Sequence, residues 1–215
     1  MNKIIQVAID SPAAAGAGTQ AKMIAKHFNL LYLDTGKIYR YIAFLKKNYP
    51  KKFGYTYLKN KIKNLKVSQL QNKLLLTEEI GSIASQIAKQ IKIRRLVYKF
   101  QIKCAYKPPK KFNGSVLDGR DITSVIIKNA MFKFFITANV KIRALRRYKE
   151  LKSMKNKISY DEVLKSIKKR DKNDFNRKYS PLKKTKDSIL INTTNLTKRS
   201  CFLKIKQIMD KKLNF

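Results

Sequence analysis

The sequence predicts an α/β fold built on a parallel sheet. Short, β-branched apolar runs read as strands buried on both faces, amphipathic segments of helical period alternate with them, and a loop of small residues joins the first strand to the first helix. The run Ile4-Ile5-Gln6-Val7-Ala8-Ile9-Asp10 is the first strand, residues 11–19 the small-residue loop, and 20–28 a helix. Residues 30–34 form the second strand, and Thr35-Gly36 opens a helix through Leu45. Residues 46–80 are lysine-rich, irregular and broken by Pro50 and Gly54, as a small inserted element is. A helical pattern over 83–106 ends at Pro108-Pro109. Residues 115–118 and 132–137 are the third and fourth strands, and helical segments 140–153 and 160–170 lead into a charged loop through Tyr179. The last strand is 188–192, and Thr197 caps a closing helix to about Lys211. There is no internal repeat.

A chain of 215 residues buries one substantial core, with room for a small appended subdomain. Its 44% hydrophobic and 29% charged content excludes a disordered chain. No apolar run approaches the roughly 20 residues that span a bilayer, and the opening stretch meets Asp10 too early for a signal peptide. A cytoplasmic location and no membrane partner are therefore expected. Cys104 and Cys201 supply neither a metal pattern nor a disulfide framework, and His27, alone beside Phe28, reads as structural. The net charge of +37 raises nucleic acid as a partner. Lysine is spread along the whole chain among many Asn, Ile and Phe, as an AT-rich coding sequence produces, so the charge is not read as a nucleic-acid site. Arginine is scarcer and more informative, because its planar fork suits phosphate.

The loop after the first strand is where such a sheet holds a phosphate chain: small residues let backbone N–H groups converge on the anion at a helix N-terminus. The usual pattern is Gly-x-x-x-x-Gly-Lys-Ser/Thr. Here Ser11, Pro12, Ala13, Ala14, Ala15, Gly16, Ala17, Gly18 and Thr19 occupy it, with Ser11 for the first glycine and Ala17 for the lysine. The backbone cradle and a Thr19 hydroxyl able to hold Mg²⁺ survive, while the β/γ-phosphate cation is missing. Taken alone, the stretch reads more readily as an ordinary Ala/Gly turn. Arg170, Asp174 and Arg177 fall at i, i+4 and i+7 and share a face if helical; Arg143, Arg146 and Arg147 cluster likewise. Alone, each set reads as a solvated or ion-paired surface.

Together the motifs resemble bacterial cytidylate kinases. Asp34-Thr35-Gly36-Lys37-Ile38-Tyr39-Arg40 is similar to that family's Asp-Ser/Thr-Gly-x-x-Tyr-Arg, and Asp118-Gly119-Arg120-Asp121 to its Asp-Gly-Arg-Asp. Ile83-Ala84-Ser85-Gln86-Ile87-Ala88 with Arg94, the Arg143–Arg147 helix, and Arg170-Asp171-x-x-Asp174-x-x-Arg177 with Pro181-Leu182 follow in family order, leaving mainly 46–80 unmatched. The resemblance implies a three-layer P-loop kinase fold with a five-stranded parallel sheet. Its core would be residues 1–40, 81–169 and 180–215, with a nucleoside-monophosphate-binding insert at about 41–80 and a lid at about 170–180. It implies transfer of the γ-phosphoryl group of ATP to CMP or dCMP, with Mg²⁺ carried by ATP, in a monomer. Residues 11–19 with Arg143 and Arg147 would hold ATP, and Thr19 its Mg²⁺. Thr35, Arg94 and Asp121 would read the cytosine edge, Ser85, Arg170 and Asp174 the sugar, and Arg40, Arg120 and Arg177 the CMP phosphate. Arg120, Arg170 and Arg177 would meet the charge on the migrating group. Asp118 reads equally as a capping strand-end aspartate and as a Mg²⁺-linked group.

Three departures qualify the resemblance. With Ala17 in place of lysine, another cation is required for catalysis; Lys37, where the family usually has a small or apolar residue, is the first candidate and Lys22 the second. The insert is short for a family whose insert is β-rich. Asn192-Thr193-Thr194 stands where an aspartate more often precedes the Ser/Thr pair beside adenine. Two alternatives stay open: a kinase for another monophosphate such as UMP, and a decayed kinase scaffold that binds RNA.

Overall fold

In the computed structural model, which describes residues 4–153 and 157–213, five strands form one all-parallel sheet. They are β1 (Ile5–Asp10), β2 (Leu30–Asp34), β3 (Gly114–Gly119), β4 (Phe132–Thr137) and β5 (Ile189–Asn192), in the order β2-β3-β1-β4-β5. The helices are α1 (Ala17–His27), α2 (Thr35–Asn48), α3 (Tyr55–Lys63), α4 (Glu78–Ile87), α5 (Ile91–Tyr106), α6 (Val140–Ser153), α7 (Tyr160–Asn176) and α8 (Lys198–Leu213). None of them is long and apolar enough to cross a membrane.

The apolar runs are continuous because the sheet is covered twice. On one face Val7, Ile9, Val116, Phe134, Ile136 and Ile191 pack with α1 and α8; on the other Ala8, Leu33 and Leu117 pack with α2, α4 and α5. A small third cluster, Ala144, Leu151, Val163 and Ile167, joins α6 to α7. Strand β1 is central: the chain leaves it towards β2 on one side and later returns to β4 on the other. The crevice at the carboxyl ends of β1, β3 and β4 is the switch point where such sheets bind ligands.

Asp10, at the end of β1, fixes one wall of that crevice. Its buried carboxylate accepts from Ile122 N (2.7 Å), Thr123 N (2.9 Å) and Thr123 Oγ1 (2.6 Å), tying β1 to the π-helical turn Ile122–Ile126 that follows Asp121. Burial pushes its pKa up to about 6 against the pull of those three donors.

The α/β class and the parallel sheet are as the sequence predicts, and four local differences have physical causes. Helix α1 starts three residues earlier than read, at Ala17, because Gly16 takes a left-handed turn (φ 91°) that ends the loop there. The single helix expected over 83–106 is two, α4 and α5, and the Nη1 of Arg94 donates to the Ala88 carbonyl (3.2 Å) at the break. The inserted stretch is ordered and helical, built of α3 and the 3₁₀ turns Pro50–Lys52, Val67–Gln71 and Lys73–Leu76: Leu58, Ile62 and Leu70 join the core with α2, α4 and α5, Leu75 is buried where the last turn meets α2 and α4, and the lysines face out. Helix α7 continues six residues past Arg170, placing Asp171 and Asp174 on it.

Candidate active site

The loop of residues 11–19 lies at the crevice. The amide of Ser11 donates to the Gly119 carbonyl (3.2 Å), docking the loop on the end of β3. The first bond of α1 runs from Gln20 N to Gly16 O (3.1 Å), so the N–H groups of Ala17, Gly18 and Thr19 are those a helix leaves without internal acceptors. Two carbonyls are held from outside: Ala13 O accepts from Arg143 Nη1 (2.9 Å), and Ala15 O from Thr193 Oγ1 (3.1 Å). The loop is thereby braced through oxygens, which suits a cradle whose amides face an anion. Thr19 is exposed, and Ala17 is buried among Ala15, Ala21 and Ile24.

Opposite the loop, charged side chains from four elements meet in one connected network. Arg94 of α5 forms a buried ion pair with Asp121 and lies over the Tyr39 ring, 5.7 Å from its centroid. Arg177, just past α7, sets Nη2 3.8 Å from Asp121 Oδ1 and Nη1 3.9 Å from Asp174 Oδ1, and its Nε donates to the Ser180 carbonyl. Arg120 Nε donates to Asp174 Oδ2 (2.7 Å) and its Nη1 to Gly119 O (3.2 Å). Burial opposes ionisation of Asp174, but the guanidinium groups of Arg120, Arg170 and Arg177 together outweigh it and hold the carboxyl below its usual range. Thr35, on the first turn of α2, donates from Oγ1 to Asp118 O (2.8 Å) beside this network. Arg40 reaches from α2 to the insert, where Nη1 donates to Leu75 O (2.8 Å) and Thr77 O (3.0 Å). Gly81 makes room for it, since a Cβ there would lie 2.8 Å from Arg40 Nη2. Arg170 differs from all of these: it is half-buried and has neither hydrogen bond nor ion pair among the described residues. Burial first, and the Arg120 charge second, lower its pKa to about 10. Ser85 is half-buried on α4 and outside the network.

The α6 arginines are occupied by protein. Arg143 donates from Nε to Ala138 O (2.9 Å), from Nη1 to Ala13 O and from Nη2 to Asp171 Oδ2 (2.6 Å), which links α7 to the loop of residues 11–19. Arg147 pairs with Glu78 of α4 and, at 2.9 Å, with Glu150. Arg146, which the sequence places with Arg143 and Arg147 in one charge clamp, donates to Thr193 Oγ1 (2.9 Å) and Thr193 O (2.6 Å), and so supports the loop through Thr193.

A second carboxylate pair closes the far side. Asp34 and Asp118 are register partners at the ends of β2 and β3. Burial first, and the Asp34 charge second, raise the pKa of Asp118 well above the carboxylate range. Asp118 shares a hydrogen bond with the Tyr32 hydroxyl, and its Oδ1 is buried with no partner. A Cβ on Gly18 would lie 3.5 Å from Asp118 Oδ2, so this carboxyl abuts the phosphate loop. Of the two cation candidates, Lys22 is exposed on α1, and Lys37 is buried with its Nζ 3.5 Å from Gln71 Oε1 of the insert.

Known proteins share this sequence and fold. The cytidylate kinase family model matches residues 7–211. The cytidylate kinase of Clostridium tetani is 43% identical over 204 residues, 89% of this chain and 87% of that protein. That of Bartonella tribocorum is 39% identical over 201 residues, covering 91% and 90%. A solved structure of an uncharacterized protein from Eubacterium ventriosum shares the fold, with a TM-score of 0.57 at 16% identity over 96% of this chain and 98% of that one. With the family model matching residues 7–211 and relatives of that name 39–43% identical over nearly the whole chain, the chain belongs to the cytidylate kinase family of P-loop nucleoside monophosphate kinases.

Proposed function

We propose that the chain transfers the γ-phosphoryl group of ATP to CMP or dCMP, giving ADP and CDP or dCDP. The observation that carries the reading is the unbroken chain of contacts Arg94–Asp121–Arg177–Asp174–Arg120, facing the phosphate loop across the end of β3. Phosphoryl transfer needs little covalent help from protein; it needs in-line oxygens and positive charge around the migrating group. The loop amides hold the triphosphate. Arg40, Arg120 and Arg177 hold the acceptor phosphate, Arg170 and Asp174 the sugar side, and Thr35, Arg94 and Asp121 the base. A phosphate oxygen of CMP attacks directly, and α7 with the segment after it excludes water from ATP.

No cluster of three or more metal-ligating side chains exists among the described residues. Mg²⁺ keeps several waters and binds through phosphates with one or two protein groups. Thr19 and the unpartnered Asp118 Oδ1 are the groups that fit it. When bound, Mg²⁺ supplies charge neutralisation on the phosphates. Arg143 serves ATP by bracing the loop and, through Asp171, the α6–α7 pair, and Arg147 by tying α6 to α4 through Glu78.

ADP release measured at fixed ATP with CMP, dCMP and UMP tests the proposal. CMP and dCMP are expected to be phosphorylated at least about 100-fold more efficiently than UMP, the ratio a polar edge readout supplies. A preference for UMP rejects the cytosine assignment. Absence of ADP with every monophosphate, together with RNA binding that falls steeply with salt, supports the decayed scaffold instead.

A further inference from the structure

We propose that Lys37 delivers to the ATP phosphates the positive charge that Ala17 no longer supplies; this rests on the phosphotransferase reading and deepens it. Position 17 is alanine, 4% exposed and packed against apolar neighbours, so the loop itself holds no cation. Lys37 is 9% exposed, an uncommon place for lysine, which is almost never deeply buried without a partner of opposite charge. Among the described residues it has no ion pair, and its ammonium has one long contact, 3.5 Å to the neutral Oε1 of Gln71. Asp34, the nearest carboxylate in sequence, is engaged elsewhere: its Oδ1 caps α2 by accepting from the Lys37 backbone N–H (3.2 Å).

The position of α2 completes the case. Its first turn rises from the end of β2, which only β3 separates from β1, two strand spacings or roughly 10 Å. Thr35 Oγ1 bonds Asp118 O, and Asp118 in turn abuts Gly18, so α2, the end of β3 and the phosphate loop are in successive contact. The turn that bears Lys37 thus lies across β3 from the anion cradle, and its ammonium, held at the insert by one long contact to Gln71, swings from there to reach a phosphate. Arriving phosphates can replace Gln71 as its partner without stranding a charge. Lys22 has no such need, since it is exposed to water on α1. Lys37 acts as a point charge only; it forms no bond and passes no proton.

The test compares the parent protein, Lys37→Met, Ala17→Lys, the double variant and Lys22→Ala. It reads ATP affinity by calorimetry with Mg²⁺ present, kcat with CMP, and thermal unfolding to confirm that each protein is folded. Lys37→Met is expected to weaken ATP binding about 10-fold and to lower kcat about 100-fold, the scale of one lost transition-state contact. Restoring a loop lysine in the double variant is expected to recover most of both losses, while Lys22→Ala changes little. Lys37→Met binding ATP within about twofold of the parent overturns the proposal, and so does a loss that the loop lysine leaves unrepaired. Should no monophosphate be phosphorylated, the substrate reading fails, and ATP affinity still decides the role of Lys37.

Discussion

Replacing Arg170 with alanine is expected to lower kcat with CMP by about two to three orders of magnitude while leaving the unfolding temperature nearly unchanged. Other arginines of the crevice help to hold the fold together: Arg94 has Asp121, Arg120 has Asp174, and Arg143 has Asp171. Arg170 has no such partner, yet it lies where burial and the neighbouring Arg120 push its pKa down to about 10. A guanidinium desolvated beside another cation destabilises the ligand-free protein. It is best accounted for by an anion that arrives with substrate. Removing it therefore takes little from the folded state and much from the charged transition state. Arg170→Lys keeps the charge without the bidentate fork, and is expected to recover part of kcat but not all. Steady-state kinetics beside calorimetric melting checks this, and a kcat within a few-fold of the parent would remove Arg170 from the reacting centre.

Asp121→Asn is expected to have the second large effect, on choice of base. A carboxylate accepts from the exocyclic amine of cytosine and repels the carbonyl that uracil presents at the same edge. An amide, able to donate or accept, tolerates both. The ratio of kcat/KM for CMP over UMP is expected to fall by roughly 100-fold, largely through better use of UMP. The variant is also expected to melt lower, because Arg94 loses a buried counter-charge, a loss of about 3 kcal/mol where such pairs are broken outright. The ratio separates the two effects, since a purely structural defect lowers both acceptors together. An unchanged ratio would remove Asp121 from base recognition.

The strand–loop–helix rhythm was legible because each strand is buried on both faces and each main helix carries its own period. The break between α4 and α5 was not, since no glycine or proline stands at 88–90 and the chain turns there around the Arg94 side chain. The insert read as irregular because its outward lysines mask a sparse apolar set, Leu58, Ile62 and Leu70, that only packing against α2, α4 and α5 brings together. At the site, the arginines and aspartates stood out through their motifs. Their division of labour did not. Arg146 supports the loop through Thr193, 47 residues away, and Asp10 anchors the turn after Asp121 across 112 residues. Such pairings carry no local signal. The same holds for Gln71, which meets Lys37 from the insert, and for Tyr32, whose hydroxyl accompanies Asp118.

The most direct measurement is a crystal structure with CMP bound. The expected density places the nucleotide phosphate among Arg40, Arg120 and Arg177, the sugar against Arg170 and Asp174, and the cytosine amine on Asp121. CMP bound away from these side chains, or density showing the guanidinium groups of Arg94, Arg120 and Arg177 turned from a common cavity, would contradict the proposed acceptor site.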